Sequence, residues 1–291
     1  MAFQESSPLI RFALPKGRMQ DGVFSLMAEA GIHVRTGSRG YRPDVGLPGF
    51  ETKILKPQSI VEMLHVGSRD IGFAGADWVA ELEADVIEVL DTGLDQVQLV
   101  AAAPLELLVD GCLPRRHLIV ASEYERLSRK WIQDRGMDAV FIRSFGATEV
   151  FPPEDADCIV DNSASGSTLR SNNLEIVDRL MNSSTRLYAN PRVLEDSAKR
   201  EALDGLVLVL RSVLEARTRV IVEVNVPNDC LEAVIALMPA MRQPTVSRLH
   251  KEEGYAVKSA VPRRDLPGLI PRIKAAGGTD IVVSAPSQIV A

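Results

Sequence analysis

The chain has 291 residues, 46% hydrophobic and 25% charged, enough to bury the cores of two or three ordinary globular domains. Its formal net charge of -6 excludes a general nucleic-acid binder, because no Lys/Arg excess exists to neutralise a phosphate backbone along a whole face. The opening MAFQESSPLIRFALPKG shows no basic leader before an apolar stretch, and no later run approaches a membrane span, so a cytoplasmic protein with no membrane segment is expected.

The first apolar run, Leu9 to Leu14, predicts a strand closed by Pro15 and Gly17, and Val23 to Ala30 repeats at helical spacing. Arg35 to Phe50 is rich in Gly, Pro and Arg without periodicity and predicts an irregular excursion. Then come a strand at Thr52 to Leu55, a helix at Pro57 to His65, a strand at Asp70 to Ala74 and a helix at Trp78 to Glu83. Two further strands are predicted at Val86 to Leu90 and Val97 to Ala102.

A second alternating unit follows. It has a strand at Leu118 to Ala121, an amphipathic helix at Tyr124 to Arg135, a strand at Ala139 to Ile142, a short helix after Gly146, and an apolar run, Cys158 to Val160, that ends at Asp161. Such alternation indicates parallel sheets whose ligands bind at the carboxyl ends of strands, and two such units imply a cleft between lobes. From Pro191 a helical pattern runs to Glu215, and a boundary is expected near residue 217. Beyond it the order is βαββαβ, with a strand at Val220 to Val226, a helix at Asp229 to Leu237, strands at Thr245 to Leu249 and Tyr255 to Val261, a helix at Leu266 to Ala276 and a strand at Ile281 to Ser284. That is a ferredoxin-like module, its second helix stopped by Gly277 and Gly278.

Cys112, Cys158 and Cys230 lie too far apart for a disulfide framework or a CxxC site and read as reduced, mostly buried thiols. The four histidines, at 33, 65, 117 and 250, are scattered and show no metal-ligand spacing.

The segment Asp157 to Leu169 carries the chemistry: a buried strand delivers acidic residues to a Ser/Gly/Thr turn that opens a helix. Gly166 lets the backbone curl, and the amides and hydroxyls of Ser165, Ser167 and Thr168 can converge on phosphate oxygens. Asp161 is placed to accept hydrogen bonds from ribose hydroxyls or to hold a magnesium-bound water. A Ser/Thr-rich helix cap is the plainer alternative. Lys16 and Arg18, on a loop relaxed by Gly17, are cations for a polyphosphate or exposed loop charges. Gly75 and Asp77 either approach a purine or cap the next helix, and Glu149 serves a ligand or the first turn of its own helix. Tyr124 stacks on a base or staples the helix beginning there. Lys53, Lys56, Arg115 and Arg116 are phosphate partners or plain surface charges.

Four motifs taken together resemble a known family. Ala13-Leu-Pro-Lys-Gly-Arg18, Asp70-Ile-Gly-Phe-Ala-Gly-Ala-Asp77, Gly146-Ala-Thr-Glu149 and the loop Asp161 to Thr168 are similar in order and spacing to those of the long-form ATP phosphoribosyltransferases, and the resemblance covers nearly the whole chain. It implies a two-lobed α/β catalytic region, periplasmic-binding-protein-like, with lobe I at 1–105 plus 190–217 and lobe II at 106–189. A ferredoxin-like, ACT-like domain at 218–291 would follow and bind histidine as an inhibitor.

The implied reaction joins ATP N1 to phosphoribosyl pyrophosphate (PRPP) with loss of pyrophosphate, the first step of histidine biosynthesis. Lys16, Arg18 and Asp161 would be catalytic. Asp157, Asp161, Ser165, Gly166, Ser167 and Thr168 would bind PRPP, and Lys16, Gly17, Arg18, Gly75, Asp77 and Glu149 would bind ATP. Mg2+ would be the cofactor, met by Asp161 directly or through water. Pro244, Thr245, Val246 and Ser247 resemble the effector segment, and a homo-oligomer, hexamer or dimer, is implied.

This sequence departs from the family at Ala164-Ser165-Gly166, at Pro57-Gln58-Ser59-Ile60-Val61 and at Gly93-Leu-Asp-Gln-Val97. The unfamiliar stretch Arg35 to Gln58 leaves open a related transferase with another acceptor, and paired α/β lobes around a cleft also suit a non-catalytic two-lobed small-molecule binding protein.

Overall fold

The computed structural model describes residues 9–36, 40–250 and 253–290. Residues 1–8, on which the leader reading partly rests, and 37–39, inside the irregular Arg35 to Phe50 stretch, lie outside them. The described chain forms two compact units, one comprising the residues up to Ser25 with His33–Leu203, the other Leu26–Ile32 with the described residues from Asp204 on.

The first unit is built on one mixed sheet. Strand β1 (Ile10–Pro15) buries Phe12, Ala13 and Leu14, and Gly17 at φ +86 turns the chain into α1 (Arg18–Glu29). The helix begins earlier than Val23 because Met19 is also buried. Strand β2 (Phe50–Leu55), helix α2 (Pro57–His65), strand β3 (Ile71–Gly75) and helix α3 (Ala76–Leu82) follow as the periodicity predicts, with Pro57 in the first turn of α2. The strands β2, β1 and β3 run parallel.

Strand β4 (Ile87–Pro104) is one long element where two strands are expected. The polar stretch from Asp91 to Gln96 stays within it through register shifts, with Gly93 and Asp95 at positive φ. Strand β5 (Leu118–Ser122), helix α4 (Glu125–Asp134) and strand β6 (Ala139–Arg143) build the second lobe. A single 3-10 turn at Thr148–Val150 replaces the helix expected after Gly146. Strand β7 (Cys158–Ser163) runs two residues past Asp161 before α5 (Ser167–Ser171).

Strand β8 (Leu174–Ala189) has no counterpart in the sequence reading, because Asp178, Arg179 and the polar run Asn182 to Thr185 interrupt its apolar alternation. The sheet order is β2-β1-β3-β8-β4-β7-β5-β6. Parallel pairing holds within each lobe, but β4 and β8 run antiparallel to each other and to their neighbours, so the sheet is mixed rather than parallel. These two strands pass through both lobes and join them.

Alternate residues of β4 serve two cores. Leu99, Ala101 and Ala103 pack with Val120, Tyr124, Trp131, Cys158 and Val160, while Val100 and Ala102 pack with Ala121, Ile159, Leu169 and Leu174. Both faces of the sheet are therefore covered. Among the cysteines Cys158 alone is buried; Cys230 is half-buried and Cys112 exposed, so the thiols are not mostly buried. Helices α6 (Arg192–Glu195) and α7 (Ser197–Thr218) continue the chain.

In the second unit, β9 (Arg219–Pro227), α8 (Leu231–Leu237), β10 (Thr245–Arg248), β11 (Gly254–Pro262), α9 (Leu266–Ala275) and β12 (Thr279–Ser284) form an antiparallel sheet in the order β10-β11-β9-β12. That is the expected ferredoxin-like, ACT-like module. Val220, Val222, Val224 and Val226 alternate inward against Val234, Leu269 and Ile273. Gly277, at φ +95, ends α9, and the Gly278 amide donates to the Ile273 carbonyl at 2.9 Å.

Candidate active site

Two adjoining cavities of the first unit share Arg18 and Asn162. The smaller, about 270 Å³, is lined by Glu149, Asp161 and the whole turn from Ser163 to Leu169. Gly166 stands at φ +72, a backbone that L side chains rarely adopt, and a Cβ there would come within 2.8 Å of Arg170 Nη1. Arg170 Nη2 donates to the Ser165 carbonyl at 2.9 Å, and Ser165 Oγ and Ser167 Oγ share a hydrogen bond of the same length. The turn is thus braced from below by an arginine the sequence reading does not single out. Helix α5 has five residues, so first-turn amides rather than a long macrodipole are what it offers an anion.

Burial pushes the Asp161 carboxyl up to about 6; the nearby charges of Glu149 and Glu123 add to this, while the Asn162 amide and Arg18 oppose it. Asp161, Glu149 and Glu123 gather negative charge on one side of this cavity, which suits a cation or hydroxyl donors, while Arg18 and the Arg170 guanidinium under the turn offset it on the side where the turn's amides would meet an anion. Among the described residues no group of three or more His, Cys, Asp or Glu forms a protein-only metal cage. The donors therefore fit a divalent ion held mainly by ligand phosphates and water, with one or two carboxylates nearby.

The larger cavity, about 380 Å³, is lined by Lys16, Arg18 and Lys56, by Gly75, Asp77 and Trp78 at the start of α3, and by Ser183 to Thr185 of β8. Lys16 lies 5.3 Å from the centre of the Tyr41 ring. Asp77 is buried and fully engaged. It accepts from Ser183 Oγ at 2.7 Å and Tyr124 Oη at 2.6 Å, and its amide donates to Ser183 Oγ at 3.1 Å. Gly75 makes this possible, since any Cβ there would overlap Asp77 Oδ1. The N-cap of α3 is Gly75, with no side-chain cap, so Asp77 does not cap that helix.

Tyr124 is 1% exposed and stacks on Trp78 at 4.6 Å, with Asn162 Nδ2 donating to its hydroxyl. It is a packing residue, and burial with the Asp77 charge drives its phenol far above the ordinary value. Phe145, 88% exposed, lines the same cavity as Trp78 and offers a ligand a more open aromatic ring. Its loop is clasped by a 2.7 Å hydrogen bond between Ser144 Oγ and Thr148 Oγ1.

Comparison with known proteins decides the family. Residues 56–212 match the family model described as ATP phosphoribosyltransferase, and residues 216–286 match the HisG C-terminal domain. The chain belongs to the ATP phosphoribosyltransferase family. It is 36% identical to the ATP phosphoribosyltransferase of Pelotomaculum thermopropionicum, over 94% of this chain and 96% of that protein. Its identity to the Chlorobium phaeovibrioides protein of the same name is 35%, over 95% and 96%. Among solved structures, the ATP phosphoribosyl transferase (HisG:HisZ) complex from Thermotoga maritima is similar with a TM-score of 0.64 and 25% identity, covering 71% of this chain and 99% of that one. Membership makes the chain a transferase of the first step of histidine biosynthesis, and the C-terminal match makes it the long form of ATP phosphoribosyltransferase. No helix among the described residues is long and apolar enough to cross a membrane.

The structure gathers most of the residues singled out from the sequence around the two cavities. Lys16, Gly17 and Arg18 follow the end of β1, Gly75 and Asp77 follow the start of the β3–α3 junction, and Glu149, Asp161 and Ser165 to Thr168 share one cavity. Asp157 stands apart. It directly precedes β7, about 13 Å along the chain from Asp161, and accepts from Arg116 Nη2 at 2.6 Å and the Ile119 amide at 2.7 Å. Pro244 to Ser247 lie in the second unit, with Thr245 to Ser247 exposed on edge strand β10. Asp70 is buried and structural. Burial raises its carboxyl, but hydrogen bonds from Arg11 and Lys199 outweigh that and hold it below the usual range.

Proposed function

We propose that the two adjoining cavities take PRPP and ATP, and that N1 of the ATP purine displaces pyrophosphate from the anomeric carbon to give phosphoribosyl-ATP. The observation that carries this reading is the shared boundary of the cavities: Arg18 and Asn162 border both the polar turn Ser163 to Leu169 and the cleft lined by Lys16 and Lys56. A donor in one and an acceptor in the other would meet there.

The chemistry asks little covalent help from protein. The bond from the anomeric carbon to pyrophosphate breaks as the bond to N1 forms, through a transition state with oxocarbenium character, so alignment and charge screening are the main tasks. The amides and hydroxyls of Ser165 to Thr168 hold the 5-phosphate of PRPP, with Gly166 shaping the turn. Asp161 accepts from the ribose hydroxyls and, ionised, favours positive charge developing on the ring. Lys16 and Arg18 draw the two polyanions together and attract the departing pyrophosphate. Mg2+ bound to that pyrophosphate would neutralise part of its charge, with Asp161 meeting the ion directly or through water. Glu149, which the resemblance would give to ATP, lines the cavity of the polar turn instead and so belongs to the PRPP side of this reading; Gly75 and Asp77 shape the purine side, Asp77 through its hold on Ser183 and Tyr124. The exposed ring of Phe145 offers the base a stacking face.

The second module is proposed to bind histidine and to inhibit transfer, with Pro244 to Ser247 in the effector segment, within a homo-oligomer. Inhibition of the full chain by histidine, lifted by substitutions at Thr245 and Ser247, tests that part; a full chain indifferent to histidine removes it. For the catalytic reading, Asp161→Ala and a bulky replacement of Gly166 should both collapse turnover and weaken PRPP binding. Normal PRPP affinity in both variants rules the assignment out.

A further inference from the structure

Asp95 is a carboxylate in a cavity that also carries Lys16, Arg18 and Lys56. It sits in β4 between two register shifts, Asp91/Leu94 and Leu94/Val97, with φ +48. A non-glycine residue adopts that left-handed backbone only at some strain, and irregularities of this kind re-aim side chains beside active sites. Thr185 Oγ1 donates to Asp95 Oδ2 at 2.8 Å, and the same oxygen lies against α1, 3.6 Å from where a Cβ on Gly22 would stand. One oxygen is thereby fixed. Among the described residues no hydrogen bond engages the other, Oδ1.

An ionised carboxylate only accepts hydrogen bonds and repels phosphate oxygens, so the triphosphate belongs with the three cations and Asp95 marks the nucleoside end. An adenine nucleotide carries neutral donors in two places, its ribose hydroxyls and its exocyclic 6-amino group. In the transfer proposed above, on which this inference rests, N1 must face the PRPP cradle. The 6-amino group sits on the adjacent ring carbon and turns the same way, whereas Asp95 is not among the residues lining the cradle. That leaves the hydroxyls. We propose that Asp95 accepts a hydrogen bond from a ribose hydroxyl of the acceptor nucleotide, held in place by Thr185, and so makes the enzyme prefer a ribonucleotide to its deoxy analogues.

The test compares kcat/KM and equilibrium binding of ATP, 2′-deoxy-ATP and 3′-deoxy-ATP in the wild-type protein and in Asp95→Gly. Glycine takes φ +48 without strain, so the turn is kept while the side chain is lost. The wild type should favour ATP over one of the deoxy analogues by roughly tenfold or more, the scale of a hydrogen bond to a charged group. In Asp95→Gly about that factor is lost with ATP and almost nothing with that analogue, so the preference collapses toward one. An equal loss with all three nucleotides, or an unchanged preference, overturns the proposal. So does a result in which purine riboside triphosphate, lacking the 6-amino group, is the analogue that becomes insensitive to the substitution. Pyrophosphate release by the wild type is read in the same assay, so a failure of the reaction is told apart from a failure of the hydroxyl assignment.

Discussion

Tyr124 Oη donates a 2.6 Å hydrogen bond to Asp77 Oδ2, and this contact latches the second lobe, at the start of α4, to the first, at the start of α3. Around it Trp78 stacks on the tyrosine ring, Ser183 donates to the other oxygen of Asp77, and the Arg126 and Leu127 amides donate to Glu81. The latch borders the larger cavity. Tyr124→Phe keeps the packing and removes one donor from a buried carboxylate, so it should lower unfolding free energy by about 1–3 kcal/mol in a denaturant titration. An unchanged midpoint and slope would show that the hydroxyl contributes nothing there.

Asp161 predicts a pH dependence of unusual sign. Its carboxyl is raised from 3.8 to about 6, so between those values the folded protein holds more of a proton than the unfolded chain, and raising pH through that window destabilises the fold. Asp161→Asn removes this. The variant should be more stable than wild type at pH 8, by about 1–2 kcal/mol after allowance for partial exposure, and no more stable at pH 4, while its transfer activity collapses. Thermal melts across that range check the sign.

In the proposed reaction the same carboxyl must be ionised to favour positive charge on the ribose ring. The log of kcat/KM for PRPP should therefore fall below an apparent pKa near 6, and that limb should be missing from the residual activity of Asp161→Asn.

Much of this was readable where local chemistry and tertiary demand agree. Pro57 at the first turn and the apolar spacing of Ile60, Val61 and Leu64 define α2 to the residue. The alternation of Val220 to Val226 defines the first strand of the second module. Sequence periodicity failed at the strands joining the lobes, because they pass the cavities and carry cavity-lining polar residues where a core strand would be apolar. Asn182 to Thr185 hid β8, and Asp91 to Gln96 split β4 in two. The signal was present as a polar break inside otherwise apolar runs. Asp95, Glu123 and Arg170 acquire meaning only through partners distant in sequence or through a turn geometry that no local spacing encodes.

Gly166→Val meets two obstacles, a positive φ and the nearby Arg170 guanidinium. The expected result is loss of PRPP binding with ATP binding and the unfolding midpoint little changed, since the turn lies at a loop rather than in either core. Equilibrium binding of the two substrates separates these outcomes.

Lys16→Met and Arg18→Met should each lower kcat/KM by roughly ten- to a hundredfold, the scale of one charge-assisted contact to phosphate. Arg18 borders both cavities and Lys16 only the larger, so Arg18→Met should weaken both substrates and Lys16→Met chiefly ATP. Steady-state kinetics with each substrate varied in turn reads the difference.

In the proposed function ATP and PRPP react with each other in the adjoining cavities. The decisive assay mixes the purified full chain with ATP, PRPP and Mg2+ and follows pyrophosphate. The expected result is pyrophosphate release that requires both substrates, matched mole for mole by a nucleotide heavier than ATP by one phosphoribosyl group, and abolished in Asp161→Ala. Pyrophosphate release that proceeds without ATP, or none in a folded protein that binds both ligands, would contradict it.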